Sequence, residues 1–393
     1  MHGRGVAEVL VALIDGGFLI RCALSRDWAW LRLGWVRLAA AFWAWQVICS
    51  IPGIGIGGGG SLVQALAVAR YLVLAAALQT AVLAESEARR WLQWVLTVCT
   101  VYIAGQALLQ FAVGRNLQGF PRSGDGALTG PFLHARAGLP LSRLIFPTLL
   151  PPIAGFLARN QRVLAVGTAV FGVGTVVLIG QRMPLLLTVL GLVVTGLMLP
   201  RLRWLVMGSL VAGGVLLGAS AVVAPPTFYR LVTKFSAQMA GFAESDDGII
   251  GGRAAVMALE HPWMGLGFDG FRRGCSDPAY FRPFAGHLAD GGGIAACNIH
   301  PHNHYLEIVD NAGFPGLALF SALIVTWLWQ LGRGARDPLR VGLFVAALLQ
   351  EWPIASATGF TAMESAGFFF LLLGYGLALS TAAMSPSGAT PRM

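Results

Sequence analysis

The sequence predicts an all-α, polytopic membrane protein: a helical bundle of about 10–12 spans, with one long loop region containing short helices. Three observations predict it. Only 11% of the 393 residues are charged and 56% are hydrophobic, whereas a soluble domain carries about 25% charged residues. Apolar runs recur along the chain at lengths near the roughly 20 residues that a spanning helix needs. Arginines gather in short tracts between those runs, as they do in loops kept on the cytoplasmic side.

The runs fall at 5–24, 36–51, 61–83, 91–113, 144–158, 163–180, 184–199, 204–224, 313–331, 341–357 and 364–384. The first contains Glu8 and Asp15 and reads as a span or an interfacial helix, so ten or eleven spans are expected. It lacks a small-residue cleavage site, so no cleavable signal peptide is expected. The loops holding Arg89 and Arg90, Arg159 and Arg162, Arg201 and Arg203, and Arg333, Arg336 and Arg340 read as cytoplasmic. Alternation then sends 52–60, 114–143, 181–183, 225–312 and 358–363 to the opposite side. Loop 225–312 holds six Lys/Arg against nine Asp/Glu, a net of −3 that suits a translocated segment. The Gly57–Gly60 run reads as a flexible turn there, because no Gly-Lys-Ser/Thr follows to make a phosphate loop. The chain therefore divides into N-terminal transmembrane helices (1–224), the long loop (225–312), C-terminal transmembrane helices (313–384) and a disordered cytoplasmic tail (385–393).

A formal net charge of +9 can signal nucleic acid, but the basic residues lie in short tracts between apolar runs and no nucleic-acid motif is present. A membrane is the expected partner. Of the five cysteines, Cys22, Cys49 and Cys99 lie in or beside apolar runs and are expected to pack. Cys275 and Cys297 share the long loop and could form a disulfide if that loop is extracytoplasmic; two free thiols are the other reading.

Several residues can carry chemistry. Arg182 lies between two spans on the extracytoplasmic side. It reads either as a ligand for a phosphate or diphosphate at the membrane surface or as an interfacial arginine snorkelling to headgroups. Arg253 follows Gly251-Gly252 and opens an apolar stretch. It reads either as an anion ligand at a helix N-terminus or as half of a surface ion pair with Asp246 or Asp247. Those two aspartates otherwise read as a solvated loop. His300, His302 and His304 alternate, which leaves three readings: a metal site, loop-capping hydrogen bonds, or one general base with two bystanders. Local pattern favours His302 as the base. Asn303 is a good N-cap for a helix running through Tyr305, Leu306, Ile308 and Val309, which puts His302 just before the helix start. There are no paired carboxylates at catalytic spacing, no serine nucleophile elbow and no Asp-rich metal motif.

The order of these residues resembles a known family. Arg182 at a span end is followed by Arg253, then Pro262-x-x-Gly265-x-Gly267-x-x-Gly270-Phe271, then His300-Pro301-His302-Asn303-x-Tyr305-Leu306, then Gly313-x-x-Gly316-Leu317 entering a span. This is similar to the O-antigen ligase and polymerase superfamily over about residues 165–335. Those are bacterial inner-membrane glycosyltransferases of GT-C-like fold that use undecaprenyl-diphosphate-linked glycans. The resemblance implies that His302 activates the acceptor hydroxyl, that Arg182 and Arg253 engage the lipid diphosphate, and that Asn303 orients the histidine or substrate, with His300, His304 and Tyr305 in support. It implies an inverting reaction with no metal or cofactor beyond the lipid-linked donor. It also implies a site facing the periplasm, between loop 225–312 and the span ends. The acceptor is lipid A-core for a ligase or another lipid-linked repeat unit for a polymerase, with transfer to protein a lesser alternative. From a different class, a polysaccharide transporter would need charged residues lining a path, for which Arg70, Glu85 and Glu351 are sparse candidates.

Overall fold

The computed structural model describes residues 2–286, 288–354, 360 and 363–384; the expected tail at 385–393 lies outside the described residues. The fold is all-α. Helices α1 (His2–Ser25), α2 (Gly34–Cys49), α3 (Gly58–Ala67), α4 (Ala69–Ala77) and α5 (Ser86–Val113) are followed by α6 (Gly138–Ala158), α7 (Arg162–Ile179), α8 (Arg182–Met198) and α9 (Arg203–Val223). Short helices α10 (Pro225–Phe228) and α11 (Lys234–Ala240) lead to α12 (Asp246–Glu260) and α13 (Gly270–Gly274). The chain then forms α14 (His304–Gly332), α15 (Pro338–Gln350) and α16 (Met363–Met384).

Among the described residues, seven helical stretches are long and apolar enough to cross a membrane: Gly58–Val82, Ser86–Val113, Gly138–Ala158, Arg162–Ile179, Pro200–Val223, His304–Gly332 and Met363–Ala383. The protein is thus a multi-pass membrane protein. Helices α8 and α15 are apolar but shorter. Helix α1 has 24 residues, but Glu8, Asp15 and Arg21 interrupt its apolar sequence.

The chain forms two compact units. One comprises 1–84, 241–330 and 351–393, the other 85–240 and 331–350. The first unit is discontinuous because most of the polar loop packs with helices from both ends of the sequence.

In the second unit, α6 contains Pro147, Pro151 and Pro152. Proline has no N–H, so Pro151 cannot bond the carbonyl one turn earlier, on Pro147. Gln93 Nε2 of α5 donates to that carbonyl at 2.8 Å instead. Gly342 lets α15 approach the backbone of Phe146 and Pro147, where an added Cβ would come within 2.6 Å.

In the first unit, Trp35, Gln79 and Thr381 form a hydrogen-bonded chain, with 2.9 Å from Trp35 Nε1 to Gln79 and 3.0 Å from Gln79 to Thr381. Tyr71 stacks on Phe370 at 5.5 Å. The glycine run expected to form a flexible turn instead opens α3. A Cβ on Gly57 would lie 1.6 Å from Ser61 Oγ, and Ser61 Oγ donates to the Phe268 carbonyl at 2.6 Å. A Cβ on Gly57 would also lie 3.0 Å from Arg273 Cδ of the polar loop, whereas Gly58, at φ +59°, and Gly59 face open space. Arg70 pairs with Glu8 and lies over Tyr71, so its charge is answered within the unit. Cys22 and Cys49 are buried as expected, whereas Cys99 is exposed.

Candidate active site

The site in the first unit is built around a break in α14. Gly313 adopts φ 65° and ψ −174°, and Pro315 follows. Pro315 cannot donate to the Asn311 carbonyl, and the Phe314 N–H turns to the Pro262 carbonyl at 2.7 Å. Other groups take the freed carbonyls. Leu266 N–H donates to Asp310 O at 2.7 Å and Gly267 N–H to Asn311 O at 3.0 Å. Trp45 Nε1 donates to Ala312 O at 2.8 Å. The glycines of the Pro262–Gly270 motif make this docking possible. Gly265 and Gly267 have φ +62° and +84°, and an added Cβ would lie 2.6 and 2.9 Å, respectively, from neighbouring backbone. Gly270 N–H donates to Asn311 Oδ1 at 2.9 Å.

Asn303 caps α14 as expected. Its Oδ1 accepts from Tyr305 N–H at 3.0 Å and Leu306 N–H at 3.1 Å, and its Nδ2 donates to the Pro353 carbonyl at 2.7 Å. Tyr305 donates its hydroxyl to the Glu351 carbonyl at 2.7 Å.

His302 precedes the cap in the left-handed region, at φ 54°. Such a conformation is uncommon for a non-glycine residue and needs surrounding contacts to hold it. Its N–H donates to His300 Nδ1 at 3.1 Å. Its ring lies between two side chains, with Nδ1 2.8 Å from Asp247 Oδ1 and Nε2 3.1 Å from Asn298 Nδ2. Asn298 Oδ1 accepts the Ile299 N–H at 2.7 Å, which leaves the amide NH₂ for His302. Nε2 is therefore the acceptor and Nδ1–H the donor, an assignment read from the hydrogen-bond network. Asp247, expected to be a solvated loop residue, lies in the first turn of α12, where a negative charge is favourable.

The three histidines diverge. His300 accepts the His302 N–H, and burial followed by the neighbouring His302 pulls its pKa down to about 4. His304 is buried against Glu351, Phe320 and Phe360, with Nδ1 2.9 Å from Glu351 Oε2. Glu351, a candidate path residue from the sequence, is committed to this pair. Among the described residues, no three His, Cys, Asp or Glu side chains gather as metal ligands.

Arg253 is not at a helix N-terminus. Ser245 caps α12 by accepting the Gly248 N–H at 3.2 Å, so the helix starts at Asp246 and passes through Gly251 and Gly252. Arg253 is 1% exposed. It donates to the carbonyls of Cys275 at 2.6 Å and Gly293 at 2.7 Å, and lies 4.2 Å over the Phe281 ring. Burial pulls its pKa below the usual arginine range, but a guanidinium stays charged. It braces the segment from Cys275 to Gly293, and an anion would have to compete with these carbonyls. Cys275 and Cys297 are both free thiols, so the bridge is not formed. Burial, then the adjacent Cys297 thiol, pushes the Cys275 pKa up to about 12.

Arg182 opens α8 in the second unit. Gln181 at the N-cap position ties this end to the segment before α6: it accepts the Gly138 N–H at 2.9 Å and donates to the Ala135 carbonyl. Arg182 is half-buried and makes no hydrogen bond or ion pair among the described residues. A cation at the positive end of a helix is unfavourable without an anion to answer it.

The first unit holds a polar segment docked on a broken membrane helix, with a carboxylate-held histidine beside the cap of that helix. These features define a multi-pass membrane protein with a candidate proton acceptor at a helix start. Residues 167–321 match the family model described as O-Antigen ligase, and over that stretch the resemblance to the O-antigen ligase and polymerase superfamily is shown. The match takes in Arg182, Asp247, Arg253 and His302, and supports activity of the ligase or polymerase type. No curated protein matches the chain.

Proposed function

We propose that the chain is an inner-membrane glycosyltransferase of the O-antigen ligase type, moving a glycan from undecaprenyl diphosphate to a hydroxyl of lipid A-core, with its site facing the periplasm. The observation that supports this reading best is His302, whose Nε2 carries the lone pair while Asp247 holds Nδ1–H. In the proposed step, the acceptor O–H passes its proton to Nε2 as its oxygen attacks the anomeric carbon. The bond from that carbon to the diphosphate oxygen breaks with its electron pair leaving on oxygen, so configuration inverts. Arg182, with no partner among the described residues, is the arginine proposed to meet charge on the leaving diphosphate. Arg253 steadies the segment ahead of Asn298. The proposed chemistry uses no metal or cofactor.

The test is purified protein with undecaprenyl-diphosphate glycan and, in separate reactions, lipid A-core or a second lipid-linked repeat unit. Product on lipid A-core alone supports the ligase reading. A lengthened lipid-linked ladder assigns a polymerase instead. No product with either acceptor, with the donor shown active in a control, overturns the proposal.

A further inference from the structure

The lone pair that the proposed reaction needs is occupied in this structure. Asn298 Nδ2 donates to His302 Nε2 at 3.1 Å, and the Ile299 N–H engages the other end of the amide. A neutral imidazole has one acceptor nitrogen, so an acceptor hydroxyl and Asn298 compete for a single position. The other side of the ring is held independently of that competition. Asp247 meets the ring at Nδ1, at 2.8 Å, from the first turn of α12. A carboxylate can only accept, so it selects the Nδ1–H tautomer and leaves Nε2 free to take a proton whenever Asn298 departs. Asn298 lies in the segment between the short 3₁₀ turn at Gly293–Ala296 and α14, and is exposed enough to swing away.

We infer that Asp247 and Asn298 are positioning residues for His302: Asp247 fixes its tautomer throughout, and Asn298 fills the acceptor-hydroxyl position until the acceptor displaces it. The inference rests on the reading of His302 as the base. It makes Asn298 a stand-in whose removal helps the acceptor, and Asp247 a partner whose removal slows the proton transfer without weakening the donor.

The experiment compares purified, full-length wild type with His302→Ala, Asp247→Asn, Asp247→Ala and Asn298→Ala, each checked for folding by size exclusion. Turnover is followed with undecaprenyl-diphosphate glycan and lipid A-core. His302→Ala should abolish turnover. Both Asp247 variants should lower kcat on the order of 10- to 100-fold, part of what a general base supplies, with donor affinity unchanged. In histidine-¹⁵N-labelled protein, Asp247→Asn should convert the His302 signal from one tautomer to a mixture, which a merely structural role would not do. Asn298→Ala should lower the acceptor KM by about fivefold, the factor for one lost net hydrogen bond. Wild-type kcat in both Asp247 variants, with His302→Ala inactive, sinks the role given to Asp247 and leaves the base standing. An acceptor KM that stays level or rises in Asn298→Ala overturns the displacement. Retained turnover in His302→Ala removes the base itself and the inference with it.

Discussion

His304 Nδ1 lies 2.9 Å from Glu351 Oε2, with both side chains 2% exposed. The pair ties the first turn of α14 to a residue 47 positions away. Removing one member of such a pair strands the other, at a cost of roughly 3–5 kcal/mol. Glu351→Ala should therefore lower the thermal unfolding midpoint steeply. Replacing both members, as in His304→Phe with Glu351→Met, should recover much of the loss, because no buried charge is left alone. A double variant as unstable as the single one would show that the pair is not what matters.

Arg253 should behave as a brace. In Arg253→Ala the carbonyls of Cys275 and Gly293 lose their donors, at roughly 1–3 kcal/mol for each buried group left unpaired. Limited proteolysis should then cut between residues 275 and 297. Arg253→Lys should rescue this only in part, since one ammonium cannot reproduce the planar fork. A folded Arg253→Lys that resists proteolysis but loses donor binding would return Arg253 to the role of diphosphate ligand.

Arg182→Ala should do the reverse. With no hydrogen bond or ion pair to lose among the described residues, its stability should change by no more than about 0.5 kcal/mol. Affinity for the lipid-linked donor should fall, because a charge-assisted hydrogen bond is worth about 1.5–3 kcal/mol. The comparison to make is donor affinity against unfolding midpoint. A variant that loses both together would give Arg182 a structural task.

Pro315→Ala restores an N–H one turn after Asn311. That N–H would compete for the carbonyl that now accepts from Gly267. Hydrogen exchange at the Gly267 amide should speed up by about fivefold or more, for the loss of roughly 1 kcal/mol of net hydrogen bonding. Unchanged protection there would mean that the glycine motif is held by packing alone.

His300 predicts a pH dependence. Its folded pKa is about 4, below the roughly 6.5 of an unfolded histidine. Between those values the unfolded chain binds a proton that the folded chain does not. Stability from this group is therefore full above about pH 6.5 and declines as pH falls towards about 4. His300→Gln should shrink the drop in denaturation midpoint between pH 7 and pH 5. An equal drop in the variant would assign the effect elsewhere.

Local signals in the sequence reach the cap at Asn303 and the position of His302 just ahead of it, because both depend on residues close in the chain. The same reasoning misplaces Arg253. Gly251-Gly252 reads as the approach to a helix, whereas Ser245 and the acidic first turn have already started it at Asp246. A serine followed by two aspartates is itself a helix-start signal that points to the right boundary. Asp247 and Glu351 are out of reach as partners of His302 and His304. They lie 55 and 47 residues away, and only the tertiary fold brings them near. The glycines at 265, 267 and 313 are visible as a pattern, but their purpose depends on carbonyls released by Pro315, which sequence spacing does not reveal.

The break at Gly313 also divides α14 by length. From Gly313 to Gly332, at 1.5 Å per residue, the helix rises about 30 Å, the thickness of a bilayer's hydrocarbon core. The turns before it, with His304, Glu307, Asp310 and Asn311, are not needed to reach that length. They form a pedestal on the apolar part of α14, gripped at its base by the Pro262–Gly270 segment. Bending at that base would tilt the pedestal as a unit, and with it the histidine that stands at its top.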